Sequence, residues 1–350
     1  MTALLAALAL VALGAVLRAP ARLIGLMLAL LWAAVVLAHL LLPARAGAAI
    51  GGSLRGWLAV GVLALLAAGY RALVGRLRAG ALNSVAAAAQ QPAASAPFSQ
   101  TELDRYARHI VLREVGGAGQ RRLKGARVLV VGAGGLGSPA LLYLAAAGVG
   151  TLGVIDDDTV SNSNLQRQII HADARIGMPK VFSAQQALAA LNPFVTVHPY
   201  HRRLTAGDAP ALFADHDLIL DGSDNFPTRL IVNAAAVAAG KPLISGAISQ
   251  WEGQLGLFDP ARGAPCYACI FPEAPADGLA PACAEAGVMG ALPGVIGAMM
   301  AAEAIKEITG AGRSLRGRLL IYDALWGENR TLTLTRREGC AVCGGVHPAR

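Results

Sequence analysis

The chain has 350 residues, room for one large α/β domain or two smaller ones, and a formal net charge of +8. Residues 1–98 hold seven arginines and no acidic residue, which leaves 23 basic against 22 acidic groups in residues 99–350. The basic excess therefore flanks apolar stretches, where it sets membrane orientation, and a nucleic-acid partner is excluded from the expectations.

Residues 2–17 and 23–42 are apolar runs separated by Arg18-Ala-Pro-Ala-Arg22, and residues 57–74 form a third, interrupted late by Tyr70 and Arg71. Spans of about twenty residues match a hydrocarbon core of roughly 30 Å. Residues 1–78 are thus expected to form a membrane segment of two to three transmembrane helices. No basic n-region precedes the first run, against a cleaved signal peptide. The plain alternative is a buried helical hairpin of a soluble protein. Arg71, Arg76 and Arg78 follow the last span and favour a cytoplasmic C-terminal part. The expected location is the inner (cytoplasmic) membrane, with the catalytic domain facing the cytoplasm. Residues 79–100, rich in Ala, Gln, Ser and Pro, read as a flexible linker to a soluble domain over 101–350.

Ser99-Gln-Thr-Glu102 is a capping-box pattern, so a helix is predicted from there through Tyr106, Arg108 and Ile110. A β-branched run at 127–131 leads into Gly132-Ala-Gly134-Gly135-Leu-Gly137 and an alanine-rich helical pattern ending near Gly148. Strand, glycine turn and helix in that order suit a nucleotide: glycine lets backbone approach phosphate, and the helix N-terminus offers free N–H groups. A second strand, at 151–155, ends on Asp156, an acid placed for ribose hydroxyls.

A dehydrogenase is the simplest reading of those elements, and the next residues argue against it. Asp156-Asp-Asp158 runs into Ser161-Asn-Ser163-Asn164-Leu165-Gln166-Arg167-Gln168 and then Gly177-Met-Pro-Lys180. Hydride transfer needs no such cluster of Asn, Arg and Lys. A site that stabilises charge growing on a triphosphate does. A strand at 217–220 ends in Asp221-Gly-Ser-Asp224-Asn225, where open α/β sheets bind ligands. Asp224 is the candidate magnesium ligand, with one or two carboxylates and phosphate oxygens completing such sites; Asp221 is either a second acid or a structural cap of the turn. Further strands are predicted at 242–245 and 254–258.

Cys266-Tyr-Ala-Cys269 and Cys340-Ala-Val-Cys343 have the spacing of a four-thiolate zinc site, closed and hence structural, which would staple the C-terminal tail to the sheet. Two unrelated pairs, or a redox pair, is the alternative. The fifth cysteine, Cys283, is either a small buried hydrophobe or a reactive thiol in a loop rich in Gly and Ala.

Together these motifs resemble the ThiF/MoeB/HesA family, bacterial relatives of ubiquitin-activating enzymes, from about Thr101 to Gly344. The matching stretches are Arg105-Tyr-Ala-Arg108 with 116–120, 131–138, 156–168, 177–180, 220–225, both cysteine pairs and 283–289. The resemblance implies a Rossmann-like mixed or mostly parallel sheet with helices on both faces, here behind the N-terminal transmembrane helices. It implies a homodimer that uses ATP and Mg2+ to adenylylate the C-terminal glycine of a ubiquitin-like sulfur carrier ending in Gly-Gly, as in molybdopterin or thiamine synthesis. By motif, Gly132, Gly134, Gly135 and Gly137 would approach the phosphates, and Asp156 and Asp158 would serve the nucleotide. Ser163, Asn164, Leu165, Gln166, Arg167 and Lys180 would line the triphosphate, and Asp224 with Asn225 the metal. Arg108 would reach the partner subunit's triphosphate, and Cys283 matches a loop cysteine that in some members links to the carrier. His109 stands where glutamine is more usual. No rhodanese-like domain follows Cys343, so sulfur is expected from a donor protein in trans. Competing expectations are adenylation of another acceptor, a peptide or modified nucleoside, and a membrane-bound ATP-binding scaffold without turnover.

Overall fold

The computed structural model describes residues 2–16, 20–41, 50–90, 98–274 and 287–346, in two compact units, Met1–Ser95 and Ala96–Arg350. The first unit contains α1 (Thr2–Val16), α2 (Ala21–Leu41) and α3 (Leu54–Gln90). Glycines bring these helices close. A Cβ on Gly14 would lie 2.6 Å from Ile24 of α2, and one on Gly61 would lie 2.3 Å from the Trp32 ring. The Trp32 indole N–H donates to the Trp57 carbonyl at 2.7 Å, joining α2 to α3 across that contact. Leucines such as Leu30, Leu65 and Leu66 point outward, so the helices are apolar on their outer faces too. Two stretches, 23–41 and 54–74, are long and apolar enough to cross a membrane; α1, with 15 residues, extends only about 22 Å. Where composition suggested a linker from residue 79, α3 runs on to Gln90. The alanines at 86–89 favour helix strongly and explain the extension.

The second unit opens with α4 (Gln100–Ile110), started by the predicted capping box. The Ser99 hydroxyl accepts from the Glu102 N–H at 3.2 Å, and the Glu102 carboxylate accepts from the Ser99 N–H at 2.8 Å. After α5 (Gly116–Gly125) the chain alternates: β1 (Arg127–Val131), α6 (Gly137–Ala147), β2 (Thr151–Ile155), α7 (Lys180–Leu191), β3 (Thr196–Tyr200), α8 (Ala209–Ala214), β4 (Leu218–Asp221), α9 (Phe226–Ala239) and β5 (Leu243–Ile248). Then follow β6 (Glu252–Phe258), α10 (Tyr267–Ile270), α11 (Leu292–Thr309), β7 (Arg318–Asp323) and β8 (Glu328–Thr333).

The eight strands form one sheet in the order β3-β2-β1-β4-β5-β6-β7-β8. The first five are parallel and the last three antiparallel. Successive residues of β1 face opposite sides of the sheet, as the pleat requires. Val128 and Val130 join the core with α6, α7 and α11, whereas Leu129 and Val131 join the core with α8 and α9. Both faces are therefore covered, as parallel strands demand, and the expected Rossmann-like mixed sheet is what forms. The strands β3, β7 and β8 were not foreseen. The carboxyl ends of β1, β2, β4 and β5 lie side by side: Val131 pairs with Ile155 and Asp221, and Asp221 with Ser245. That shared edge carries the site.

Candidate functional site

The turn after β1 sorts its four glycines by what surrounds them. Gly132 has φ +92°, a left-handed conformation costly for any side chain. A Cβ on Gly137 would fall 1.9 Å from the Gly132 carbonyl oxygen, so helix α6 approaches the strand only with glycine there. Gly134 is different. A Cβ at Gly134 would meet nothing nearer than the Gln168 amide at 3.6 Å, so the fold does not need a glycine there. Room next to the start of α6 is what a phosphate requires, and among the described residues none accepts from the Gly135 or Leu136 N–H.

The peptide between Gly132 and Gly134 is gripped from both sides. Asp156 accepts from the Ala133 N–H at 2.7 Å through one oxygen and from the Asp158 N–H at 2.8 Å through the other. Burial pushes the Asp156 carboxyl above its ordinary value, and Lys180 and the two N–H donors pull it back. On the other side, His171 Nε2 bonds the Ala133 carbonyl at 2.9 Å, and its Nδ1 meets the Ser183 hydroxyl at 2.9 Å. A carbonyl only accepts, so Nε2 carries the proton and Nδ1 accepts from Ser183. Burial takes the His171 pKa down from 6.5 to about 4, which keeps the ring neutral. Nothing in the sequence pattern singled out His171; only the fold sets it against the turn.

Lys180 opens α7, its side chain buried, and its ammonium donates to Asp158 at 2.8 Å. Its backbone N–H also bonds the Asp158 carbonyl, at 2.9 Å. Across the turn, Arg167 donates to the Asn164 side chain at 2.8 Å and the Ser163 carbonyl at 3.2 Å, and Asn164 donates to the Ser161 hydroxyl at 2.6 Å. The Arg167 stem also passes 3.7 Å from the Cβ position of Gly135. Thus the guanidinium is held beside the glycine turn by its own loop. Gln166 leans instead on Gly290, where a Cβ would lie 2.3 Å from the Gln166 side-chain oxygen. Leu165 closes the short 3-10 turn that presents Asn164.

The two acids after β4 divide their roles. Asp221 is buried, and its carboxylate accepts from the Ser223 N–H and hydroxyl and from the Ser245 hydroxyl. Arg229 lies 3.7 Å from that carboxylate and bonds the Ser223 carbonyl and the Ser245 hydroxyl. Asp221 is therefore the structural member, and Arg229 a buried partner that sequence reasoning missed. Asp224 stands exposed at the tip, its side chain tied among the described residues only by a 3.4 Å bond from Asn225, which itself caps α9 by accepting from the Thr228 N–H. No bond joins Asp224 to Lys180 or Arg167 among the described residues. Arg108 is exposed on α4, and its side chain has no hydrogen-bond partner among the described residues. Cys283 lies outside the described residues.

The four remaining cysteines converge and are buried. Their sulfurs approach at 3.8 Å (Cys266–Cys269), 3.7 Å (Cys266–Cys340) and 3.5 Å (Cys269–Cys343), with no disulfide. Four thiolates at about 2.3 Å from a tetrahedral zinc stand about 3.8 Å apart, so the donor set and spacing fit a closed metal site.

The profile of the ThiF family matches residues 106–342. The chain belongs to the ThiF family. Among the relatives is a sulfur carrier protein adenylyltransferase from Thermus thermophilus, 51% identical over 251 residues, covering 71% of this chain and 93% of that one. The molybdopterin-synthase adenylyltransferase of Escherichia coli is 47% identical over 249 residues, with 71% and 99% covered. A probable adenylyltransferase/sulfurtransferase, MoeZ of Mycobacterium tuberculosis, is 50% identical, and the match spans only 62% of its length. Among solved structures, E. coli MccB with AMPCPP and MccA superposes with a TM-score of 0.61 at 24% identity, covering 69% of this chain and 74% of that one. That likeness concerns the fold alone. In ThiF terms, the glycine turn, Asp156, Asp158, Arg167 and Lys180 share one edge of the sheet, and the tail cysteines complete the pair after β6.

Proposed function

We propose that the second unit is an adenylyltransferase that activates the C-terminal glycine carboxylate of a ubiquitin-like sulfur-carrier protein with ATP, releasing pyrophosphate. The observation that carries this reading is the meeting of an open glycine turn with Arg167 and the buried Lys180 at the carboxyl edge of the parallel strands. Relatives at about half identity across nearly their whole length are named for this reaction.

One oxygen of the carrier carboxylate attacks the α-phosphorus of ATP, and a C–O–P bond forms. The bond from the α-phosphorus to the bridging oxygen breaks, and its electron pair leaves with pyrophosphate. No residue of this chain bonds to the substrate in that step, so catalysis rests on position and charge. Gly134 and Gly135 leave the backbone free to approach the phosphates, and Asp156 takes the ribose. Asn164, Arg167 and Lys180 face the negative charge that moves onto the departing group. Asp224 would hold magnesium, which neutralises charge on the phosphate oxygens when bound. The four cysteines would hold zinc in a structural role. We further infer a homodimer in which Arg108 completes the partner's site, and a separate protein that donates sulfur. Residues 1–78 would anchor the chain in the cytoplasmic membrane, with residues 101–350 facing the cytoplasm.

ATP–pyrophosphate exchange by the purified chain tests the reaction. Exchange is expected only when a carrier ending in Gly-Gly is present. ATP binding without exchange across several such carriers would overturn the reading in favour of another acceptor or a non-catalytic role.

A further inference from the structure

Tyr267 sits between two of the four clustered cysteines, and its neighbours on α9 all lie on one helix face. Its ring centroid is 6.3 Å from that of Phe226, the first residue of α9. Burial pushes its phenol pKa up, and the positive charge of the Arg229 guanidinium pulls it back. Its backbone N–H donates to the Asn233 side-chain oxygen at 2.8 Å. One turn further on, Val237 packs against the cysteine cluster itself. Phe226, Arg229, Asn233 and Val237 follow the three- and four-residue spacing that makes one helix stripe. Tyr267, Arg229 and Asn233 are all buried, and Phe226 and Val237 are half-buried.

The same helix ends at the site. Asn225, the cap of α9, is bonded to Asp224, and Arg229 holds the Ser223 carbonyl. Among the described residues, the Asp224 side chain is bonded to none beyond that turn. Its position is inherited from Asp221, Ser223 and the first turns of α9. A continuous set of buried contacts thus runs from Cys266 and Cys269 through Tyr267 to the turn that presents Asp224.

We propose that Tyr267 and Asn233 are positioning residues that carry the constraint of the four-cysteine centre to the 221–225 turn, and so set how well Asp224 holds magnesium. The inference rests on the reading that Asp224 serves magnesium bound to ATP. A carboxylate that contributes to a metal site must be held to a fraction of an ångström, and a turn loosened from behind loses metal affinity before it loses its fold. The coupling is a free energy shared by the two sites, so a metal bound at the cysteines favours magnesium at Asp224.

The test is a magnesium titration of ATP binding to the purified full chain, without any carrier, alongside zinc content and thermal unfolding. Tyr267→Phe keeps the ring and the backbone bond and removes the phenol; Asn233→Ala removes the acceptor for the Tyr267 N–H. Both are expected to raise the magnesium concentration for half-maximal ATP binding about tenfold, with affinity at saturating magnesium unchanged. Val342→Ala, which trims a residue packed on the cysteine cluster but outside α9, is expected to leave the titration where it was. A wild-type titration in both Tyr267→Phe and Asn233→Ala would overturn the proposal, whether zinc is kept or lost. So would an equal shift in Val342→Ala, which would indicate general loosening. No ATP binding by the unaltered chain would instead remove the reading on which the proposal rests.

Discussion

Lys180 donates a 2.8 Å hydrogen bond to Asp158 from a side chain 5% exposed, while its acceptor is 66% exposed. A buried ammonium is costly unless paired, and here its carboxylate partner Asp158 is open to water. An arriving triphosphate can take over that ammonium without unburying it. Replacing Lys180 by Ala should lower the rate of pyrophosphate exchange by about a hundredfold or more, the usual loss for one charge-stabilising donor. Lys180→Arg should not restore it, since a fork of donors does not fit a point-charge position. Steady-state exchange rates of folded variants check this; near-normal rates in Lys180→Ala would remove the lysine from the mechanism.

The glycines give a sharper contrast. Gly137→Ala puts a methyl 1.9 Å from a backbone oxygen and should fail to fold or lose much of its stability. Gly134→Ala, whose methyl has room, should fold with an unchanged melting temperature and bind ATP more weakly. Calorimetric unfolding and ATP titration of the two variants separate the roles. Equal affinity in Gly134→Ala would mean that no phosphate approaches there.

His171 gives a pH signature. Its folded pKa of about 4 lies below the ordinary 6.5, so between these values the unfolded chain binds a proton that the folded chain refuses. The stability it contributes is therefore complete above about pH 6.5 and is lost as pH falls towards 4. His171→Gln should flatten that part of the pH profile relative to the unaltered chain. Unfolding midpoints measured from pH 7 to pH 4 decide; parallel profiles would show that the ring takes up its proton equally in the folded and unfolded chain.

The cysteine centre should hold one zinc per chain. Cys340→Ala is expected to lose most of the metal and to lower the melting temperature, because metal binding to such a centre is itself folding free energy. Elemental analysis of both proteins checks it, and full metal content in the variant would exclude a four-thiolate site.

Arg108 tests the dimer. Arg108→Ala and Asp224→Ala should each be inactive alone. If Arg108 serves the partner's site, co-expression in equal amounts should recover about one quarter of normal activity, since half the dimers are mixed and each of those has one complete site. No recovery in verified mixed dimers would place Arg108 in its own subunit's site.

How much of this was legible in the chain follows from which forces act locally. The capping box at Ser99 and the strand–glycine–helix unit at Arg127–Val131 announce themselves because their signals sit within a few residues. The cysteine pairs were readable for the same reason, although 74 positions separate Cys266 from Cys340. β3 was not legible: it is an edge strand with Pro199 and His198 in it, half exposed and without a clean apolar alternation. β8, exposed along its whole length, has no buried face to leave a pattern at all. The separate roles of Asp221 and Asp224 were equally hidden. Ser245 and Arg229 decide them, and these reach Asp221 only through the sheet register and the packing of α9. His171 belongs to the same class, since its partner Ala133 is 38 residues away.

Ala133 has both of its peptide groups committed, the N–H to Asp156 and the carbonyl to His171. The peptides flanking it cannot flip without breaking a buried bond on one side or the other. The loop is accordingly fully shaped before any nucleotide arrives, and the entropy of ordering it is spent at folding and not at binding. In hydrogen exchange this residue should behave like the strand before it, its amide proton among the slowest of any in a loop, with or without nucleotide.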